Sequence, residues 1–497
     1  MKKVALLTAW MLGSAVMSPA ARSGSLNTHF VSPEGNASWE TSVDENKPAS
    51  PENAFAKAKA GDTVYFRGGA YRVGQSESYR GAWGPANSGT QANPITFACY
   101  PGEKVVFEGA PKVMGNGRQT NYRLTTFALG NQYQSHIVFD GFEFVARDRT
   151  GFCGIIISRG CDNADNPAVW SKGCVVRNCL FDGGDFVIGA HPDDNPNSAD
   201  NNEVIRIEET DGTLVQDCRM WNLRHIQDNH NISAVKMYHN SNTILEHCEI
   251  YNCSTAIFDK SDGQKSVFRY NYIHDCHDAL LFTSFGWKDP QAPNGYFMSS
   301  HSNCQVYHNL FANNGNIVDT TEDGSHSSGL TIYNNTLYAG EGRLAGIDVG
   351  NGTGQSVYNN ILFGKRRDND VGLLRFLASD DDVAVPQTPL EIAACDHNQF
   401  GGISGNLVIR VHTRHSPWAT YNSLPAWQTS GQLAGGRNPG EGSRNSNPQF
   451  VNASGKFSSV EDFRLAPDSP CRKAGRDGED MGADIDRVGL RHAPAAK

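Results

Sequence analysis

Three stretches of the 497-residue chain carry charged residues at the same point of an alternating apolar pattern: Val204-Ile205-Arg206-Ile207, Ala234-Val235-Lys236-Met237 and Ala256-Ile257-Phe258-Asp259-Lys260. In an extended strand, alternate side chains take opposite faces. With Ile205, Ile207, Val235, Met237, Ile257 and Asp259 turned inward, Arg206, Glu208, Lys236, Tyr238 and Lys260 share an exposed outer face. Lysine serves as a base only when its proton affinity falls, and nearby cations lower it. Arg206 and Lys260 would do this to Lys236. A further cation on a substrate carboxylate stabilises the charge that develops as a neighbouring proton leaves. The set therefore suits proton abstraction beside a carboxylate, with an acid for a departing oxygen. Lys236, Lys260, Arg206 and Tyr238 are the expected catalytic residues. Glu208 and His239 are the expected substrate contacts.

Other groups compete. His225, His230 and His239 lie near the same stretches, each a candidate acid or base, and no HxxxH or HxH pair suggests zinc there. Asp259, Asp262, Asp275 and Asp278 form an acidic group, and paired carboxylates are the tool of glycoside hydrolysis. The polar loop Ile188 to Asn195 with Asp200, and the run Asp319 to Asp323, are further acidic candidates. Most of these carboxylates are expected in turns.

The elements that must position these groups are repeats. An apolar residue, two mostly polar residues and then Cys or Asn recur, ending at Cys179, Cys218, Cys248, Asn271, Asn309, Asn335 and Asn360. The steps are 39, 30, 23, 38, 26 and 25 residues. Short strands on a period in the twenties, with Gly and Asn turns between them, imply a solenoid. Parallel strands stack ~4.8 Å apart, so these Cys and Asn residues should form one column. Asn amides would bond along it and the Cys would fill the same slot as small hydrophobes. A metal cluster of these Cys is disfavoured, because they fall on different coils without CxxC spacing. Residues 51–60 read as an amphipathic helix capping the first coil. Residues 447–470 read as a closing segment, and a loop-rich insertion around 379–446 breaks the period.

Charged residues are 19% of the chain, below the about 25% of ordinary soluble domains. The net charge is −10, against a basic nucleic-acid binder. No apolar run reaches the about 18 residues of a membrane span. Lys2 and Lys3, the apolar run Val4 to Leu12 and Ser18-Pro19-Ala20 read as a secretory signal over 1–20. The mature chain is expected to be secreted or periplasmic and a monomer, with 21–485 as one repetitive domain and 486–497 as a tail. Export makes disulfides possible. Cys153 and Cys161 are taken as the closest plausible local pair, although spacing does not give connectivity.

The stretch from Phe30 to Val73 resembles the N-terminal segment of secreted right-handed parallel β-helix carbohydrate-active proteins, and Asn447 to Gly475 resembles their closing segment. The resemblance implies an all-β, single-stranded right-handed parallel β-helix, a fold that hosts lyases, hydrolases, epimerases and tailspikes. The stretch from Asn201 to Gly263 resembles polysaccharide lyase family 6, which holds alginate lyases and chondroitinase B. Asn201 and Glu203 to Arg206 match its first active coil, and Lys236 falls at its catalytic lysine. The chain departs from the pattern at Asn231, where the family has a calcium-binding Glu, and at Lys260 or Ser261, where it has Arg. The resemblance implies calcium-assisted β-elimination on a uronate-containing acidic polysaccharide. Lys236 would be the base, Lys260 the cation nearest the substrate or the acid, and Glu203, Asn201 and Asn231 the calcium ligands. A glycoside hydrolase using the Asp259 to Asp278 group, and a non-catalytic carbohydrate-binding β-helix, are the alternatives.

Overall fold

The computed structural model describes residues 27–73, 81–109, 126–146, 152–158, 165–185, 187–190, 201–282, 286–288, 296–298, 301–318, 326–340, 346–364, 373–377, 392–401, 409–412, 419–430, 439–452 and 457–491. The secretory signal, the acidic loop residues 191–200, the run Asp319 to Asp323, Cys161 and the tail residues 492–497 lie outside the described residues.

Successive strands go to three different sheets, each of 12 strands. One coil runs through Leu214–Gln216, Arg219–Trp221 and Ile232–Ser241. The chain then returns at Ile244–Glu246, which pairs in parallel with Leu214–Gln216. This winding is a parallel β-helix. Its register is regular: Val215 opposes Leu245, Leu245 opposes Phe268 and Phe268 opposes Val306. In-pointing residues therefore stack on their own kind. Phe107, Phe144 and Phe181 form one such pile, with ring centroids 5.2 and 4.8 Å apart.

The corners explain the Asn-rich repeat. Asn178, Asp217, His247, Tyr270, His308, Asn334 and Asn359 all have φ between 51° and 57°. This left-handed conformation costs L residues roughly 1–2 kcal/mol, and Asn and Asp visit it most readily. Each is followed by a ladder residue. The Asn309 amide nitrogens donate to Asn335 Oδ1, from the backbone at 3.0 Å and from Nδ2 at 3.0 Å. Asn335 repeats the pattern on Asn360. The column runs from Cys248, whose N–H donates to Asn271 Oδ1, to Asn398, whose N–H donates to Ser443 Oγ. Cys179, Cys218 and Cys248 are buried in the same column, and the 11 described cysteines are free thiols.

The two terminal segments pack on the coils differently. Helix Pro51–Lys57 starts where Ser50 accepts from the Asn53 N–H and Pro51 supplies a preset φ. It buries Phe55, whose ring centroid is 4.4 Å from that of Phe97. At the other end, the last described residues run back along the left-handed corner. The Gly482 N–H donates to Asn359 O, the Gly489 N–H to Tyr270 O, and the Arg491 N–H to Asp217 Oδ1. Residues 476–491 therefore strap several coils together. The stretch expected as a loop-rich insertion carries strands in register: Ile392–Asp396 pairs with Gln355–Tyr358, and Gln399–Gly401 with Ile361–Gly364. The coil continues there, because Asp396-His397-Asn398 is another copy of the corner and ladder phrase.

Asn335→Ala removes a buried amide that bonds two neighbouring coils. Loss of about 2–5 kcal/mol of stability is expected, since each buried polar group left without a partner costs about 1–3 kcal/mol. Cys218→Ala, which removes a small thiol, should cost distinctly less. Urea denaturation followed by circular dichroism compares the two, and equal losses would show that the amide ladder contributes nothing beyond packing.

Candidate functional site

The strands that carry the candidate residues are the longest of the coil. Asn202–Asp211 and Ile232–Ser241 have 10 residues each, against three for the matching strands of the other two sheets. They pair in register, with Arg206 opposite Lys236 and Glu208 opposite Tyr238. Ile205, Ile207, Val235 and Met237 belong to the apolar core, so Arg206 and Lys236 face outward, as alternation requires. The next strand, Thr255–Ser261, is irregular. Lys236 opposes Phe258 and Met237 opposes Asp259, but Tyr238 opposes Ser261. Lys260 is the extra residue of a bulge, a device that re-aims side chains.

The expected exposed trough is instead a buried cluster. Arg206, Glu208, Tyr238 and Lys260 are buried, and Lys236 is 0% exposed. Alternation fixes which face a side chain takes but not what lies over that face. Here Asn201 and Asn231, which stand just before two of these strands, lie against the ammonium groups. Lys236 Nζ donates to Asn201 Oδ1 at 3.1 Å and to the Asn231 carbonyl at 2.7 Å. Lys260 Nζ donates to the same Asn201 Oδ1 at 3.3 Å and to Asn231 Oδ1 at 2.8 Å. Both ammonium groups lie near the Phe258 ring, at 5.6 and 5.5 Å. The Tyr238 ring lies under the Arg206 guanidinium at 4.7 Å and 5.9 Å from Lys260 Nζ.

Two carboxylates balance the cations. Glu203 Oε1 accepts from Arg206 Nη1 at 2.6 Å, and its Oε2 lies 3.2 Å from Lys236 Nζ. Glu208 Oε1 accepts from Arg206 Nε at 2.6 Å. Burial pushes the Glu203 carboxyl up, but Lys236 and Arg206 more than offset this and hold it below the usual carboxylate range. Burial opposes charge on Arg206 as well, and Glu203 and Glu208 keep it firmly protonated. Lys236 goes the other way. Burial lowers it most, Glu203 resists, and Lys260 and Arg206 lower it further, to about 7. The cluster thus holds one fixed cation between two carboxylates and one amine that exchanges its proton near neutrality.

Glu203, Asn201 and Asn231, the oxygens expected to hold calcium, all accept from or lie against ammonium and guanidinium groups. No group of three or more His, Cys, Asp or Glu close enough to hold a metal ion occurs among the described residues. His239, expected as a substrate contact, sits at a left-handed corner (φ 44°), and its Nδ1 lies 2.9 Å from Asp262 Oδ2. The turn carries its ring toward the next coil's corner. His225 is buried, and its Nδ1 accepts from the Gln227 N–H.

The four aspartates expected for a hydrolase do not face one another. Asp259 points into the core between Met237 and Phe282, accepting from Asn240 Nδ2 at 3.0 Å and lying 3.3 Å from His301 Nε2. Asp262 is with His239, and Asp275 with His274 at 2.8 Å. Asp278, opposite Thr255, is four residues along the ladder from the position of Asp259, or about 13 Å at the rise of a strand. It accepts from two imidazoles, His230 Nδ1 at 2.7 Å and His277 Nδ1 at 3.2 Å. The His230–Asp278 pair, 48 residues apart in sequence, was not legible there, since no spacing signals a pair made across coils.

No protein-family model matches the chain, and no curated protein matches it. Among solved structures it is similar to the pectate lyase Pel9A, at 14% identity and a TM-score of 0.47, over 92% of this chain and 95% of that one. It is similar to a mannuronic acid specific polysaccharide family 6 lyase from human gut microbiota, at 12% identity and a TM-score of 0.41, over 89% and 91%. A glycoside hydrolase shares 10% identity at a TM-score of 0.44, over 89% and 99%.

Arg206→Met leaves Glu203 and Glu208 buried without their guanidinium. A loss of about 3–5 kcal/mol is expected, the usual cost of stranding a buried charge. Replacing both carboxylates by Gln in the same chain should recover at least half of it. Urea midpoints of the single and triple variants test this, and a single-variant loss under about 1 kcal/mol would mean that the trio is solvated.

Proposed function

We propose that this chain is an exported polysaccharide lyase that cleaves a uronate-containing acidic polysaccharide by β-elimination. The observation that carries the reading is the convergence of two lysines on Asn201 Oδ1, one of them fully buried and shifted to about 7. A buried amine that is half deprotonated at neutrality can accept a proton from carbon, whereas an ordinary lysine near 10.4 cannot. Lys236 is the base in this reading. Lys260 and Arg206 supply the positive field for the substrate carboxylate, whose charge grows as the proton leaves. Tyr238 forms the floor beneath these two cations. The hydrolase alternative loses support, because Asp259, Asp262, Asp275 and Asp278 are each committed to histidine or asparagine partners and Asp259 lies in the core.

The residues as placed do not fit a calcium ion. The Asn201, Asn231 and Glu203 oxygens already face the two ammonium groups and the guanidinium, and a divalent cation there would meet like charge at contact distance. The proposed chemistry therefore routes no step through a metal.

The purified chain supplied with alginate, pectate or a glycosaminoglycan should produce the ultraviolet absorbance of an unsaturated uronate. Lys236→Ala should lower that rate by about 10²–10⁴-fold, and activity left intact would sink the assignment. The wild-type rate should rise about tenfold between about pH 6 and pH 8.5 as Lys236 loses its proton. Stability should move with the same sign. Between about 7 and about 10.4 the unfolded chain binds the extra proton, so stability rises with pH across that window, and Lys236→Met should remove this slope in denaturant titrations. Incubation with a chelator is expected to leave the rate unchanged within about twofold, whereas a loss restored by calcium would show that the metal-assisted route operates.

A further inference from the structure

Close to the lysine cluster a buried carboxylate holds two partly exposed imidazoles. Asp278 is 0% exposed, while the side chains of His230 and His277 are 38% and 40% exposed. Register places Asp278 in a column with Thr255, Ser233 and Glu203. Glu203 in that column bonds Arg206 and lies 3.2 Å from Lys236, so the column begins at the lysine cluster. His230 also precedes Asn231, whose carbonyl holds Lys236 and whose amide oxygen holds Lys260. One dipeptide thus contacts both lysines and the buried aspartate.

We propose that His230 is the catalytic acid of the elimination, delivering the proton that the departing sugar oxygen takes up, with Asp278 and His277 as its positioning residues. The assignment rests on the lyase reading above. The Nδ1–H bond to Asp278 Oδ2 fixes the ring and leaves Nε2 on the side away from the carboxylate. An imidazolium is the form that can donate, and His277, on the same oxygen, is raised by its hydrogen bond to Asp278. Burial pushes the Asp278 carboxyl up, but the hydrogen bonds from His230 and His277 outweigh it and keep the carboxylate ionised.

The step balances as follows. The proton on the carbon next to the uronate carboxylate passes to Lys236 Nζ. Its electron pair forms the ring double bond, and the adjacent carbon–oxygen bond breaks with both electrons staying on the oxygen. That oxygen takes the Nε2 proton of His230. His230 remains neutral with Nδ1–H on Asp278, and water later removes the extra proton from Lys236 and restores that of His230. Tyr238, the other candidate acid, has its ring beneath the Arg206 and Lys260 cations and is itself buried.

The test compares two substrates: the native polysaccharide, whose alkoxide needs a proton, and a uronate carrying fluoride as the leaving group, which does not. His230→Ala should lower kcat on the polysaccharide about 10²-fold and leave the fluoride substrate within about threefold of wild type, which also reports that the variant is folded. Asp278→Asn should lower kcat on the polysaccharide more than on the fluoride substrate while KM stays within about twofold of wild type. Tyr238→Phe should lose no more on the polysaccharide than on the fluoride substrate. Equal losses on both substrates, or none on either, in His230→Ala would overturn the assignment, as would selective loss in Tyr238→Phe. Failure of the wild-type chain to form unsaturated product from any acidic polysaccharide would instead sink the lyase reading, and this assignment with it.

Discussion

The parallel register between coils is the constraint on which the rest depends. A strand can lie ~4.8 Å above its predecessor over a dozen coils only if every corner turns at the same place. Left-handed residues and the amide column behind them supply that regularity. Each ladder Asn donates to one coil and accepts from another, so a slip at one coil would break bonds at its neighbours. The C-terminal strap adds bonds to the same corner from Asn359 to Asp217. In a solenoid, stability is largely a sum of such nearest-neighbour terms. Residues far apart in sequence are therefore held in fixed relation without any one large interface.

That regularity is what makes a buried charge cluster tolerable. Arg206, Glu203, Glu208, Lys236 and Lys260 come from three successive coils, and each charge finds its partner because the register sets the spacing. Desolvation works against all of them. The cost falls unevenly. Arg206 lies between two carboxylates and stays charged, whereas Lys236 shares Glu203 with Arg206 and Asn201 with Lys260, so it is the amine that yields its proton. A site assembled this way is preorganised, because its polar groups are oriented before any ligand arrives.

The candidate site lies where the coil departs from its own repeat. The corners and short strands of the first two sheets are nearly uniform. The third sheet instead has the longest strands, a bulge at Lys260 and the connections that carry Asn201, His230 and Asn231. Connections held by a rigid scaffold are a common home for reactive groups. Here the scaffold holds both strand-borne and connection-borne residues, so the site joins precise register with freedom of sequence.

Much of the fold was legible in the sequence. The Cys and Asn column from Cys179 to Asn360 was visible as a repeated phrase, because stacking forces equal positions to be chemically alike. The outward facing of Arg206 and Lys236 followed from two-residue alternation against Ile205, Ile207, Val235 and Met237. The burial of that face did not follow, since it involves contacts such as those of Asn201 and Asn231, which have no period in the sequence. Nor did the bulge that sets Lys260, because one extra residue in a strand leaves no mark on an already irregular step. One partner of Asp278 was likewise decided by the winding, which brings His230 from an earlier coil to the carboxylate oxygen that the adjacent His277 also meets. Local chemistry repeated at intervals is written along the chain, while pairings across coils exist only once the chain has wound.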